Sequence, residues 1–287
     1  MGELYELEPV PVAPRLPGTV VLRKTVDEVV DALAADLLLH AHSCVRTFGD
    51  FHLALSGGST PVPLYLRLMY DPNYRELPWA RTHLWLVDER RVPFDDDRSN
   101  FRLVSEIICD HSGIPREQVH PVFAMADDAD VQYERAIQET LAWREKGQDR
   151  LDYVLLGMGA DAHTASLFPR TPALREQTAL VKINPGPPGP GPDRVTMTLR
   201  LINSARFVSI MVTGKEKRET IARVAAAAAR AGSPAPADVV DEFPVLGVHP
   251  VGGEERWYID YAACPGAPEP EEAEPQPKPR PQPRAEA

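Results

Sequence analysis

Apolar residues along this chain follow two different periods. The runs TVVLR (19–23), FHLAL (51–55), THLWLV (82–87), DYVLLG (152–157), RVTMTL (194–199), RFVSIMV (206–212) and RWYID (256–260) are short, apolar and rich in β-branched or aromatic residues. Each predicts a strand. Between them the spacing turns helical. Thr25 with Glu28 three positions on forms a capping box, and Val26, Val29, Val30, Leu33 and Leu37 mark one face of a helix running to about Thr47. Further helices are predicted through Tyr65 and Met69, from a Ser99 cap to near Gly113, over 128–146, and from about Lys215 to Arg230.

Strands alternating with helices of this length imply an α/β fold with a mostly parallel sheet covered on both faces. One domain over residues 19–264 is the simplest account. The flanks differ in composition. Residues 1–18 are Pro-rich, and 265–287 (PGAPEPEEAEPQPKPRPQPRAEA) hold eight of the 30 prolines and no aromatic. Such a tail has too little apolar surface to offset ordering entropy, and disorder is expected there. The segment Asn184 to Pro192 (NPGPPGPGP) reads as an exposed loop.

With 31 basic and 42 acidic residues the chain carries a formal charge of −11. No nonspecific affinity for nucleic acid or an anionic membrane is expected. No apolar run is long enough to span a bilayer, and no basic segment leads into an apolar one at the start, so neither a membrane helix nor a secretory leader is expected. Cys44, Cys109 and Cys264 have no metal-type spacing and form no disulfide framework. A cytoplasmic protein, monomeric or weakly dimeric, is the expectation.

In open α/β sheets ligands bind beyond the carboxyl ends of the strands. Three post-strand loops there are chemically dense. In Ser56-Gly57-Gly58-Ser59-Thr60-Pro61, glycines allow close approach of an anion, hydroxyls add donors, and Pro61 leads into a helix N-terminus. The turn suits a phosphate, although a Ser/Gly-rich turn after a strand is also ordinary. Asp88-Glu89-Arg90-Arg91 places two carboxylates and two guanidiniums after an apolar strand. Successive strand residues alternate faces, so the four cannot all point one way, and a surface ion-pair cluster is the competing reading. Asp95-Asp96-Asp97 lacks the spacing and glycine of a calcium loop. The third loop, Gly157-Met158-Gly159-Ala160-Asp161-Ala162-His163-Thr164-Ala165-Ser166-Leu167-Phe168-Pro169, sets Asp161 beside His163, a carboxylate able to fix an imidazole tautomer. The other seven histidines have no such setting and read as structural.

Together these loops resemble the 6-phosphogluconolactonase family, whose signatures are Ser-Gly-Gly-Ser, Asp-Glu-Arg with Val-Pro, and Gly-x-Gly-x-Asp-Gly-His-Thr-Ala-Ser-Leu-Phe-Pro. The likeness continues through Arg194, Asn203, Val212 to Lys217 and the Trp257-Tyr258 strand, covering about residues 19 to 261. The wording HLALSGGSTP, THLWLVDER and LLGMGAD looks especially similar to the lactonase domain of the endoplasmic hexose-6-phosphate dehydrogenase fusion. The resemblance implies a Rossmann-like sheet, shared with ribose-5-phosphate isomerase, and hydrolysis of 6-phospho-D-glucono-1,5-lactone without metal or organic cofactor. On that reading His163 is the base, Asp161 its orienting carboxylate, Asp88 an orienter of hydroxyls or water, and Arg90 the charge at the lactone carbonyl. The phosphate falls to Ser56, Gly57, Gly58, Ser59 and Thr60 with Arg194 and Lys217. No nucleophile elbow is present, so direct attack by water is expected. Two alternatives are an amino-sugar phosphate deaminase or isomerase, whose third loop reads His-Ile-Ala-Phe-Asn in place of HTASLFP, and a sugar-phosphate sensor, which typically lacks the His.

One departure stands out. The family glycine between Asp and His is Ala162 here. A positive φ at that position would strain the turn by about 1 kcal/mol or more.

Overall fold

The computed structural model describes residues 10–266. The expected tail therefore lies outside the described residues from 267 on, as do residues 1–9 of the Pro-rich start. Strand β1 (Thr19–Arg23) leads into α1 (Val26–Phe48). Thr25 Oγ1 accepts from the Glu28 amide at 3.2 Å, and the Glu28 carboxylate reaches back to the Lys24 amide at 2.8 Å. Gly49, left-handed at φ 92°, stops the helix. β2 (Phe51–Leu55), α2 (Val62–Tyr70), β3 (Thr82–Leu86) and β4 (Asp88–Arg90) follow. The Ser99-capped helix comes in three pieces: α3 (Asn100–Val104), a π-helical stretch Ser105–Cys109, and α4 (Asp110–Ser112), ended by left-handed Gly113. Then come β5 (Val119–His120), α5 (Ala129–Leu141), β6 (Tyr153–Gly157), β7 (Val181–Asn184), β8 (Arg194–Met197), α6 (Leu199–Ile202), β9 (Phe207–Val212), α7 (Arg218–Ala231), α8 (Ala237–Glu242) and β10 (Glu254–Asp260).

Seven strands form one parallel sheet in the order β1-β10-β9-β6-β2-β3-β5. From β2 the chain builds outward through β3 and β5, then returns to β6 on the other side of β2. The direction of winding thus reverses between β2 and β6. Carboxyl-end loops part at such a point and leave a crevice. The fold is an α/β, mostly parallel architecture, with α1 packed on β1, β2 and β10. Its core includes the fully buried Trp85, Trp257, Tyr65, Tyr153 and Tyr258.

Two expectations need correction. RVTMTL does not enter the main sheet. Its residues Arg194–Met197 form the centre of a second, antiparallel sheet, β4-β8-β7. The chain turns out of the main sheet at Val87, whose amide donates to Leu55 O and whose carbonyl accepts from the Met197 amide, both at 2.9 Å. The helix read over 128–146 stops at Leu141. Arg144 leaves it to reach buried Asp152 at 2.8 and 2.9 Å and half-buried Asp50 at 3.0 Å.

Candidate active site

A cavity of about 290 Å³ opens at the carboxyl ends of β2, β6 and β9, on the reversal between β2 and β6. All three dense loops contribute to it. From the first come Ser56, Gly57, Gly58 and Thr60; from the second, Asp88 and Arg90; from the third, His163 and Ser166. Arg194 enters from β8. Ser59 and Lys217 are outside the lining, and Lys217 lies half-buried in the turn Lys215–Lys217 that opens α7.

The first loop is shaped by what presses on it. A Cβ on Gly57 would fall 1.9 Å from Asn100 Oδ1, so any larger residue would displace the Asn100 carboxamide. Gly58 is left-handed at φ 85°. Ser56 is committed: its hydroxyl donates to Leu155 O at 2.8 Å, and its carbonyl accepts from the Tyr65 hydroxyl at 2.5 Å. The Ser56 hydroxyl therefore bridges β2 to β6, and its proton is not free for an anion.

The second loop divides by strand alternation. Asp88 and Arg90 share the face of β4 toward the cavity. Glu89 points the other way, fully buried, and its carboxylate accepts from the amides of Arg90, Asn100 and Phe101 at 2.7 to 2.8 Å and from Ser99 Oγ at 3.1 Å. Glu89 thus caps the N-terminus of α3. Burial pushes its carboxyl above the ordinary value, while those amide bonds pull it back. Arg91 turns to Ala126 O at 3.3 Å. The cluster is neither a surface salt bridge nor a four-residue site, because only two of the four reach the cavity. The Asp95 to Asp97 stretch is solvated charge: Asp96 holds Arg98 at 2.8 and 2.9 Å, and Asp97 holds Arg102 at 2.6 Å.

Arg90 and Arg194 are register partners across β4 and β8. Like charges directly opposed destabilise a sheet. Among the described residues their guanidinium hydrogen bonds go only to main-chain carbonyls: Arg90 to Arg98 at 2.6 Å, Arg194 to Pro192 and Asp193. Burial, and then the Arg90 charge, lower the Arg194 pKa below its ordinary value. Two guanidiniums facing one cavity without a carboxylate partner call for an anion.

In the third loop Asp161 Oδ1 binds His163 Nδ1 and also accepts from the His163 amide at 3.2 Å. Burial works to raise the Asp161 carboxyl, but the bond and charge of His163 prevail and hold it below its usual value. With Nδ1 taken, Nε2 is the imidazole nitrogen left for the cavity. A Cβ on Gly159 would lie 2.1 Å from His163 Nδ1, so the glycine makes room for the ring. Phe168 packs against the imidazole with centroids 4.7 Å apart. Ala162 has φ 64° and a fully buried methyl, so the strain expected for that departure is present.

Sequence reasoning did not single out Ser166 and Asn100. Ser166 donates to Asp88 Oδ2 at 2.6 Å; Asn100 Nδ2 donates to Asp88 O at 2.8 Å. Ser99 was legible as a cap, but the Asn100 side chain that turns back toward the preceding strand leaves no periodic trace.

One group of metal-type donors exists among the described residues: Asp50, His52 and His83, with ligand atoms within 4.8 Å of one another. It lies at the amino end of the sheet, away from the cavity. Trp85 Nε1 donates to His52 Nδ1 at 3.2 Å, which leaves the His52 proton on Nε2, facing Asp50 Oδ2 at 3.3 Å. A metal on Nε2 would drive that proton to Nδ1, against the indole N–H. The group is a hydrogen-bonded scaffold.

The sequence profile of the glucosamine-6-phosphate isomerases/6-phosphogluconolactonase family matches residues 24–248. The chain is 40% identical over 248 residues to the GDH/6PGL endoplasmic bifunctional protein of Homo sapiens, a match covering 84% of this chain and 29% of that protein. The chain thus spans under a third of that relative's length. It is 35% identical to the 6-phosphogluconolactonase of Nostoc sp., over 84% of this chain and 98% of the relative. The crystal structure of 6-phosphogluconolactonase from Thermotoga maritima superposes with a TM-score of 0.69 at 28% identity, covering 84% of this chain and 99% of that one. With the parallel sheet, the reversal crevice and all three loops in place, the chain belongs to the glucosamine-6-phosphate isomerase/6-phosphogluconolactonase family.

Proposed function

We propose that this chain hydrolyses 6-phospho-D-glucono-1,5-lactone to 6-phosphogluconate, the second step of the oxidative pentose phosphate pathway. One observation carries the reading: an imidazole oriented by Asp161 shares a small cavity with two guanidiniums that lack a carboxylate partner. The first supplies a base and the second a place for anionic charge, which hydrolysis of a phosphorylated lactone needs together.

In this reading His163 Nε2 takes a proton from water as the oxygen attacks the lactone carbonyl carbon. The carbonyl oxygen becomes an oxyanion facing Arg90. The C1–ring oxygen bond then breaks, and His163 returns the proton to the ring oxygen, which leaves as the C5 hydroxyl. Asp161 holds the imidazole and balances its transient charge. Asp88 orients water or sugar hydroxyls. The phosphate is held by the Gly57-Gly58 turn, Thr60 and Arg194. Ser56 acts there only as an acceptor or through its main chain, and Ser59 and Lys217, beyond the lining, have the lesser share. No step calls for a metal or organic cofactor.

The free thiols Cys44, Cys109 and Cys264 fit a reducing compartment such as the cytoplasm. No helix among the described residues is long and apolar enough to cross a membrane. The deciding experiment couples lactone hydrolysis to 6-phosphogluconate dehydrogenase, with the spontaneous rate subtracted. Turnover well above that rate is expected, with no ammonia released from glucosamine 6-phosphate. A rate equal to the spontaneous one overturns the reading. Light scattering on the eluting protein tests the monomer or weak dimer.

A further inference from the structure

Ser166 lies three residues after His163 and is 1% exposed, yet it belongs to the wall of the cavity. Its hydroxyl donates to Asp88 Oδ2 at 2.6 Å, the length of a charge-assisted bond. Its main chain is pinned at both ends. The amide donates to Thr196 Oγ1 at 3.2 Å, and the carbonyl accepts from Asn184 Nδ2 at 2.9 Å. Asn184 is itself fully buried, and its Oδ1 accepts from the Ala173 amide at 3.2 Å. Thr196 is the register partner of Asp88 across β4 and β8. The small antiparallel sheet therefore holds the donor and the acceptor of the same hydrogen bond.

We infer that Ser166 is a positioning residue: its hydroxyl fixes the Asp88 carboxylate in the cavity wall and ties the loop carrying His163 to the strand carrying Asp88 and Arg90. The inference rests on the proposed lactonase reading of this cavity. With Oδ2 occupied by Ser166, Oδ1 is the oxygen that faces substrate, free of protein partners among the described residues. Asn100 Nδ2 fixes the other end of the same residue by binding the Asp88 carbonyl.

The surroundings explain why a tether is needed. Asp88 sits among charged and titratable groups from several elements: Arg90 and Glu89 on its own strand, Arg194 on β8, Tyr65 on α2, and His163 across the cavity. Two nearby guanidiniums would draw a loose carboxylate into ion pairs and cancel the charge that the substrate anion needs. Holding Asp88 by a neutral hydroxyl keeps Arg90 and Arg194 unpaired. Ser166 is not a nucleophile in this arrangement. Its hydroxyl is held in a hydrogen bond to a fixed carboxylate, and the residue is 1% exposed.

The test is a double-mutant cycle on the full chain, Ser166→Ala, Asp88→Asn and both, with kcat and KM for the phosphorylated lactone measured separately. Ser166→Ala is expected to lower kcat about 10- to 100-fold with little change in KM, the usual loss for a hydrogen bond to a charged group. The double variant should be no slower than Asp88→Asn alone, because the hydroxyl acts only through that carboxylate. Ser166→Cys, a near-isostere with a weaker donor, should fall between Ser166→Ala and wild type, and it keeps the test alive if the alanine variant does not fold. Amide exchange without substrate should rise over residues 158–168 in Ser166→Ala and Asp88→Asn alike. Losses that simply add, or a covalent adduct on Ser166 in quenched turnover, overturn the inference. If wild type itself shows no turnover, the lactonase reading fails, and the exchange data alone decide whether the tie exists: unchanged exchange removes it.

Discussion

The two ends of the parallel sheet both gather histidines, arginines and aspartates, but they treat charge in opposite ways. At the amino end Arg144, 5% exposed, binds Asp50 and Asp152, and Arg206 joins Asp152 at 2.9 Å. Asp152 also accepts the His52 amide at 2.8 Å. His52, His83 and His120 line up on neighbouring strands, His83 Nδ1 to His120 Nε2 at 3.0 Å, with Trp85 stacked on His120 at 3.8 Å. There Arg144 and Arg206 both meet carboxylates. At the carboxyl end Arg90 and Arg194 face one another and meet none. Clusters of charged residues thus mean different things. Mutual pairing builds scaffold, and like charge left opposed marks where a ligand anion completes the structure.

The sharpest break in that comparison is His163→Ala. It should lower kcat by about 10² to 10⁴-fold with the melting temperature nearly unchanged. The check is coupled turnover alongside a thermal melt. A variant that keeps most of its turnover removes His163 as the base.

Arg144→Ala and Arg194→Ala should then fail in opposite ways. Removing Arg144 leaves half-buried Asp50 with His52 and buried Asp152 with Arg206 alone among cations, and should cost about 1.5–3 kcal/mol of stability, read by urea unfolding, while the folded fraction keeps its KM. Removing Arg194 relieves repulsion with Arg90, so stability should hold or rise. KM for the phosphorylated lactone should climb about 10- to 100-fold, with far less effect on unphosphorylated gluconolactone. Lys217→Ala, from outside the lining, should raise KM less than Arg194→Ala. Equal losses on both lactones would take Arg194 off the phosphate.

Much of this comparison was legible in the sequence, and the illegible part has a common cause. Apolar runs gave β2, β3, β6 and β9 nearly to the residue, because strands buried on both faces must be apolar throughout. Post-strand position then led to Ser56, Asp88 and His163. The second sheet was missed because β4 and β7 are three and four residues long, β4 charged throughout and β7 polar at alternate positions. Missing it hid the opposition of Arg90 and Arg194, which exists only in register. Glu89 looked like site chemistry because charge is visible in a sequence and direction is not. The amino-end network was hidden for the same reason, since Asp50, Arg144 and Asp152 are brought together by folding alone.

A smaller effect concerns pH at the amino end. Burial first, and then neighbouring imidazoles, push His83 down to about 4 and His120 down to about 3. In the unfolded chain imidazoles take up protons near the ordinary value of about 6.5. Between those limits the unfolded state binds more protons than the native one. Stability from this row is therefore full above about pH 6.5 and is lost progressively as the pH falls through 4. Melting temperature followed from pH 7 to 4 should drop, and His83→Gln should flatten the slope. A slope that His83→Gln leaves unchanged would take His83 out of this titration.

The smallest expected effect tests whether the scaffold's tolerance extends into the loop that carries His163. Ala162 holds φ 64°, a conformation that costs an L-residue about 1–2 kcal/mol. Ala162→Gly removes that strain. It also loses a fully buried methyl, about 0.8 kcal/mol, and returns about 0.4–1 kcal/mol of freedom to the unfolded chain. These terms nearly cancel, so stability should move by less than about 1 kcal/mol either way. Turnover should stay within about twofold, because the His163 ring is placed by Asp161 and by the open side of Gly159, and the substitution leaves both in place. The loop is further held by the Ala162 carbonyl, which accepts from the Val245 amide at 3.0 Å, and by its amide, which donates to Gly159 O at 3.0 Å. Both bonds use main-chain atoms that glycine keeps. A tenfold rise in kcat for Ala162→Gly would show instead that the methyl displaces the imidazole, and the strain at this position would then be limiting catalysis.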